Sequence, residues 1–318
     1  MTNRFGRLRT HLEQTIVGQT ALLERLMISL LADGHLLVEG LPGLAKTTAV
    51  RTLADGLAMH FQRIQFTPDM IPGDITGTEI FVPRDGRFEF VKGPIFNEVI
   101  LADEINRAPP KVQSALLEAM QERQVTVGTV TRSLPEVFLV MATQNPIEHE
   151  GTYPLPEAQL DRFLMKVSLD FPSADEELEI LRRVNRNLKS DVAPQTAAVL
   201  SADDVLAARR DVNNIYLDEM LERYIVTLVG ATRDPSPWDK ELGNWLERGA
   251  SPRATLAFAR AAKARAYLHK RDFVEPGDVL ELARDILNHR IAPSFAARAD
   301  GMSRQQIIER IVDIVPVP

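Results

Sequence analysis

The 318-residue chain contains no cysteine. That excludes disulfides, thiolate metal sites and a cysteine nucleophile together. Long apolar runs are also missing. The longest near the start, residues 26–32, falls far short of the roughly 20 residues a spanning helix needs. Arg4, Arg7, Arg9, His11 and Glu13 interrupt the first segment, so it offers no apolar core for a targeting signal. The expectation is a cytoplasmic protein without membrane insertion. An excess of basic charge is absent too: 37 Lys and Arg stand against 44 Asp and Glu, a net charge of -7. Generic phosphate-backbone binders carry a basic surplus, so the balance argues against nucleic acid as the main partner. What is present is ordinary for a globular chain, 45% hydrophobic and 25% charged residues, which excludes disorder and low-complexity scaffolds. At roughly 150 residues per domain, the length suggests two domains.

Up to about Leu169 short apolar runs alternate with helical patterns, the rhythm of an α/β domain with a parallel sheet. Strands are expected over residues 35–39, 61–66, 99–103, 137–143 and 165–169. Two hairpin inserts are expected near 78–92, around the Asp85-Gly86 turn, and near 124–136, around Gly128. After Phe171-Pro172-Ser173 strand patterns disappear, and Ala, Leu, Glu and Arg recur at helical spacing. The expected division is an α/β core over residues 1–171 and an all-helical domain over residues 172–318. No internal repeat is apparent.

The buried-strand pattern at residues 35–39 runs into Gly40-Leu41-Pro42-Gly43-Leu44-Ala45-Lys46-Thr47, and a helix pattern follows from Thr48. This is the phosphate-loop pattern G-x-x-x-x-G-K-S/T, with Ala45 in place of the last glycine. The strand-loop-helix order is the context the motif requires. Backbone N–H groups of such a loop and of the following helix start bind phosphate oxygens. Gly40, Pro42, Gly43, Leu44, Ala45, Lys46, Thr47 and Thr48 are the expected nucleotide contacts. Lys46 would reach the β- and γ-phosphates, and the Thr47 hydroxyl would ligate Mg²⁺. Alanine tolerates a positive φ poorly, so Ala45 is a departure from the pattern.

Val99-Ile100-Leu101-Ala102-Asp103-Glu104 is an apolar strand ending in two carboxylates. A carboxylate at such a strand end holds Mg²⁺ in phosphoryl-transfer sites, and a second takes a proton from an attacking water. Asp103 is therefore the expected metal residue and Glu104 the general base. A strand simply ending in solvent is the plainer alternative. The strand from Phe138 ends in Gln144-Asn145-Pro146, where Asn145 would either bond the γ-phosphate and the water or serve as a turn residue before proline.

Together with Leu155-Pro156-Glu157-Ala158-Gln159-Leu160-Asp161-Arg162-Phe163 and Ser251-Pro252-Arg253-Ala254, these motifs resemble a MoxR-type AAA+ ATPase of the helix-2-insert clade. The resemblance runs from Ile16-Val17-Gly18-Gln19 into the helical C-terminal part. Asp103 to Pro110 and Gln113 to Val127 are its most specific stretches. Alanine before the lysine is common in this family, so Ala45 becomes a match. The resemblance implies ATP and Mg²⁺ as cofactors and a helical lid following the α/β core. It also implies that Val17, Gly18 and Gln19 line the adenine pocket, that Asn145 is sensor 1 and that Arg253 is sensor 2. Arg162 is implied as an arginine finger acting in trans, on the nucleotide of a neighbouring subunit. Such a finger makes a ring, most simply a hexamer with heterologous contacts, part of the mechanism.

The activity expected is Mg²⁺-dependent ATP hydrolysis by a chaperone-like remodeller of protein clients. By family resemblance the partner is a client or adaptor carrying a von Willebrand factor A domain, with enzyme maturation or metal insertion as the outcome. Phe81, Phe88 and Phe90 on the first hairpin would either grip a client or pack the hairpin. Arg107, beside the acidic pair, has no evident role. A nucleic-acid motor of the same clade is the alternative, and it requires a basic stripe on the hairpins. Further off stand a small-molecule P-loop kinase or GTPase, for which no guanine signature is present, and a silent scaffold.

Overall fold

The computed structural model describes residues 4–40, 44–84, 86–146, 151–187 and 198–318. Pro42 and Gly43 of the phosphate loop, and Asp85 of the hairpin turn, lie outside the described residues. Eleven strands occur among the described residues. They are β1 Leu36–Glu39, β2 Phe61–Gln65, β3 Gly77–Val82, β4 Arg87–Lys92, β5 Val99–Asp103, β6 Gln124–Val127, β7 Val130–Ser133, β8 Leu139–Gln144, β9 Met165–Ser168, β10 Leu246–Arg248 and β11 Ala292–Pro293. The five strands expected for the sheet all form. They make a parallel sheet of order β2-β5-β8-β1-β9.

Burial explains the order. Val99, Ile100, Leu101 and Ala102 of β5 and Leu139 to Ala142 of β8 are all fully buried, as central strands covered on both faces must be. Each large apolar side chain so buried contributes about 1.5–3 kcal/mol. The outermost strand β2 is Phe-Gln-Arg-Ile-Gln, and only Ile64 of it is buried. On one face the helix Lys46–Gly56 turns Ala49, Val50, Leu53 and Ala54 inward, all fully buried. Its polar side, including Thr48 and Arg51, stays exposed.

The chain divides into two compact units. The first comprises Met1–Met27, His35–Leu155 and Val167–Leu206, and it holds the body of the sheet. The second comprises Ile28–Gly34, Pro156–Lys166 and Ala207–Pro318. This differs from a single boundary near Phe171. The helix Ala174–Asn187 clusters with the sheet, whereas the segment 156–166, carrying Arg162, clusters with the C-terminal helices. The second unit is also not purely helical. Leu246 pairs with Pro293 and Arg248 with Ala292 in a short antiparallel ribbon. Three residues against two is too short for an alternating pattern to be visible.

Within the second unit the helix Pro252–Leu268 packs on Pro276–Leu287. Ala254, Ala257, Ala261 and Ala264 give the first helix a narrow inner face, and Val279, Leu282, Ala283 and Ile286 fill it from the second. Ser251 caps the first helix by accepting from the Arg253 N–H, with Pro252 in the first turn.

Both expected hairpins form. β3 and β4 pair over Gly77–Lys92, and β6 pairs with β7 around Gly128 at a φ of 61°. On the first hairpin Phe81 and Phe88 face each other with ring centroids 5.3 Å apart and are 54% and 69% exposed. Phe90 is used internally. It lies against Phe96, and the Arg132 guanidinium of the second hairpin covers its ring at 3.8 Å.

Candidate active site

Parallel strands deliver their polar carboxyl ends to one rim, where ligands of α/β sheets bind. Here the rim carries Gly40 after β1, Gln65 at the end of β2, Asp103 at the end of β5 with Glu104 after it, and Asn145 after β8. A cavity of about 360 Å³ opens among Leu44, Ala45, Lys46, Thr47, Thr48, Arg63, Asp103, Glu104 and Asn145. Residues some 60 positions apart in sequence therefore meet, as the phosphate-loop reading requires.

Ala45 stands immediately before the helix Lys46–Gly56 at φ 55° and ψ 17°. The left-handed conformation is the one a glycine adopts without cost, and alanine holds it here under roughly 1–2 kcal/mol of strain. It aims the first N–H groups of the helix, with the positive end of its dipole, into the cavity. Lys46 donates from Nζ to the Gly40 carbonyl oxygen at 2.8 Å. Burial lowers its pKa, and the nearby Asp103 and Glu104 carboxylates oppose that shift.

The acidic pair is closely held. Thr143, fully buried on β8, donates from Oγ1 to Asp103 Oδ1 at 2.6 Å and accepts from the Glu104 N–H at 2.9 Å. Glu104 adopts φ 57° and ψ 50°, a conformation non-glycine residues rarely occupy. It turns the chain sharply, so that adjacent residues both reach the cavity. Arg63 donates from Nε and Nη2 to Asp103 Oδ2 at 3.0 and 2.6 Å. Glu104 Oε2 accepts from Gln65 Nε2 at 2.8 Å and from Arg107 Nη1 at 3.2 Å. Arg107 thus has a structural partner in the candidate base itself. The sequence carried no signal for Thr143, Arg63 or Gln65 beyond unusual polarity in two strands.

A hard cation fits this donor set. Thr47 and Asp103 supply oxygen from two walls of the same cavity. Among the described residues no group of three or more His, Cys, Asp or Glu is placed to cage a metal. A cation here would complete its shell from phosphate and water, as Mg²⁺ does.

Val17, Gly18 and Gln19 form the bend between the helices Arg4–Thr15 and Thr20–Leu31. Gly18 has φ +75°, and a Cβ there would meet the Glu176 carboxylate at 2.6 Å. Arg162 and Arg253 belong to the second unit. Asp161, beside Arg162, accepts from Arg290 Nε at 2.8 Å and Ser251 Oγ at 2.7 Å, and Arg253 Nη1 lies 3.7 Å from it. Arg290, nearly buried, also donates to the carbonyls of Phe163, Leu164 and Ile286. The segment bearing Arg162 is thereby tied to the C-terminal helices, a role for Arg290 that no motif announced.

A phosphate loop, an acidic strand end and a polar strand tip on one parallel sheet define a P-loop ATPase core. Residues 35–165 match the ATPase family associated with various cellular activities (AAA), and residues 245–311 match the AAA lid domain. Chaperone MoxR1 of Mycobacterium tuberculosis is 48% identical over 309 residues, which span 96% of this chain and 80% of that protein. Protein MoxR of Methylorubrum extorquens is 31% identical over 98% of this chain and 95% of its own length. A solved structure from Cytophaga hutchinsonii, assigned as an ATPase, superposes with a TM-score of 0.92 at 48% identity. It covers 99% of this chain and 95% of its own. The chain belongs to the MoxR family of AAA+ ATPases. It binds nucleotide and hydrolyses ATP.

Proposed function

We propose that the chain is the subunit of a cytoplasmic, ring-forming, Mg²⁺-dependent ATPase that remodels protein clients. The observation that carries the reading is the convergence of Lys46, Thr47, Asp103, Glu104 and Asn145 on one cavity. Lys46, with the loop N–H groups, neutralises the phosphates. Thr47 and Asp103 hold Mg²⁺, which, when bound, draws charge from the phosphate oxygens. Glu104 takes a proton from the attacking water while Asn145 orients that water against the γ-phosphate. Val17, Gly18 and Gln19 receive the adenine. Arg162 acts on a neighbour's nucleotide and Arg253 on phosphate, so a hexameric ring is the working form.

A protein client is supported by the first hairpin, where Ile80, Phe81, Phe88 and Val91 are all exposed. The nucleic-acid alternative asks for a stripe of free cations running over both hairpins. Arg132, the basic residue of the second hairpin, is instead covered by Phe90 and paired with Glu79 at 3.7 Å. By family resemblance the client or adaptor carries a von Willebrand factor A domain, in enzyme maturation or metal insertion.

The test is steady-state ATP turnover with assembly size followed in parallel. Glu104→Gln is expected to bind ATP and lose about 10²–10⁴-fold in turnover, and Lys46→Ala to lose binding. Mixing Lys46→Ala with Arg162→Ala subunits should restore activity, since each supplies what the other lacks. A mixture as inactive as its components refutes the shared site.

A further inference from the structure

Asp103 has two oxygens, and they are held differently. Oδ1 accepts from Thr143, a buried side chain fixed in turn by the Glu104 N–H. Oδ2 accepts twice from Arg63, whose side chain is 48% exposed and leaves β2 on the edge of the sheet. The register explains the meeting. Gln65 stands opposite Asp103 across β2 and β5, and Arg63 lies two residues back, on the same face. Gln65 Oε1 accepts from Arg63 Nη2 at 2.6 Å and so anchors the guanidinium over the carboxylate.

A divalent cation ligated through Asp103, directly or through water, needs the oxygen that can be vacated. Thr143 cannot leave without uncoupling Glu104 from β8, whereas Arg63 has solvent to move into. Two like charges on one carboxylate oxygen would stand within about 4 Å of each other and repel. We propose that Arg63 is a resident counter-cation of Asp103 and gives up Oδ2 when Mg²⁺ and nucleotide bind. It thereby sets how much Mg²⁺ the site requires. Arg63 is a positioning residue: it holds the acidic strand end in place and competes for it. The inference rests on the reading of Asp103 as the metal residue.

The experiment measures binding of a fluorescent, non-hydrolysable ATP analogue to the full chain, titrated with Mg²⁺ and repeated in EDTA. Arg63→Met should lower the Mg²⁺ concentration at half-saturation by about two- to fivefold, the size of a part-exposed ion pair. Arg63→Lys, which keeps the charge but not the two-point contact, should fall between. Gln65→Leu, which removes the anchor together with the Gln65 donor to Glu104, should shift the same way by less. Binding in EDTA should stay within about twofold throughout, less than the worth of one charged contact. An unchanged Mg²⁺ requirement in Arg63→Met, with wild-type nucleotide binding intact, overturns the proposal. So does a larger loss in EDTA than in Mg²⁺, which makes Arg63 a phosphate ligand. A wild-type chain that binds the analogue equally with and without Mg²⁺ refutes the metal reading itself, a separate failure.

Discussion

Asp278 offers a quantitative test of how the second unit is held. It lies in the first turn of the helix Pro276–Leu287 with no exposed surface. Oδ1 accepts from Arg265 Nη1 at 2.6 Å and Arg271 Nη2 at 2.7 Å. Oδ2 accepts from Arg271 Nη1 at 2.7 Å and the Glu275 N–H at 2.9 Å. Burial alone would raise its pKa, yet the bonds from Arg271, Glu275 and Arg265 outweigh it and hold the carboxyl below its ordinary range. In Asp278→Asn the shape survives, but two guanidinium groups lose this counter-charge and meet an amide that is itself a donor. Breaking a buried pair costs about 3–5 kcal/mol. The arginine side chains keep 18% and 19% exposure, and Arg271 retains Glu275 at 3.6 Å. That partial hydration points to the low end, about 3 kcal/mol. Both tryptophans, Trp238 and Trp245, belong to the second unit, so their fluorescence in urea follows the surroundings of that unit. The pH dependence carries a sign. A carboxyl depressed in the folded state stabilises above its ordinary pKa of 3.8, and that contribution is lost as pH falls through the folded value. The variant should lack that acid limb. A loss below about 1 kcal/mol, the scale of a surface pair, refutes the buried-hub reasoning.

His289 predicts a second pH effect, at milder acidity. Its ring is buried, with Nε2 at 3.2 Å from the Phe163 carbonyl oxygen, and burial first, then Arg290, pushes its pKa well below 6.5. The unfolded chain therefore takes up a proton that the folded one refuses. Stability of the second unit should fall as pH drops below 6.5, by at most about 1.4 kcal/mol per pH unit from this residue. The same fluorescence assay on His289→Gln should flatten that slope, and an unaltered slope would assign it elsewhere. Gly18→Ala should destabilise the first unit by about 1–3 kcal/mol, because φ +75° is costly for alanine and the new Cβ displaces Glu176. Glu176 would have to leave the Ser173 N–H and hydroxyl, which it holds at 2.7 and 2.9 Å. Circular dichroism melts measure it, and a change within about 0.5 kcal/mol contradicts the steric account.

Much of the core was legible because its signals are local. Apolar runs marked the central strands β1, β5 and β8, and the order strand, glycine loop, helix pointed to a phosphate loop before any contact was known. What escaped was carried by pairing between distant segments. Arg63 and Gln65 read as polar residues of an ordinary strand. Their proximity to the acidic pair depends on β2 lying beside β5 in a register that sets Gln65 opposite Asp103. Shift that register by one residue and both side chains turn to the other face. Thr143 is hidden the same way, as one hydroxyl at the end of an apolar run. Composition changes near Phe171, whereas packing sets residues 156–166, with Arg162, among the C-terminal helices and returns residues 167–206 to the unit that holds the sheet. Arg290 ties that segment to the C-terminal helices: a buried cation takes its carboxylate partner, Asp161, and the Phe163 and Leu164 carbonyls from it, besides the Ile286 carbonyl of the preceding helix. Motif spacing identifies which residues share a chemistry, and the pairing of buried charges shows which packed unit each of them belongs to.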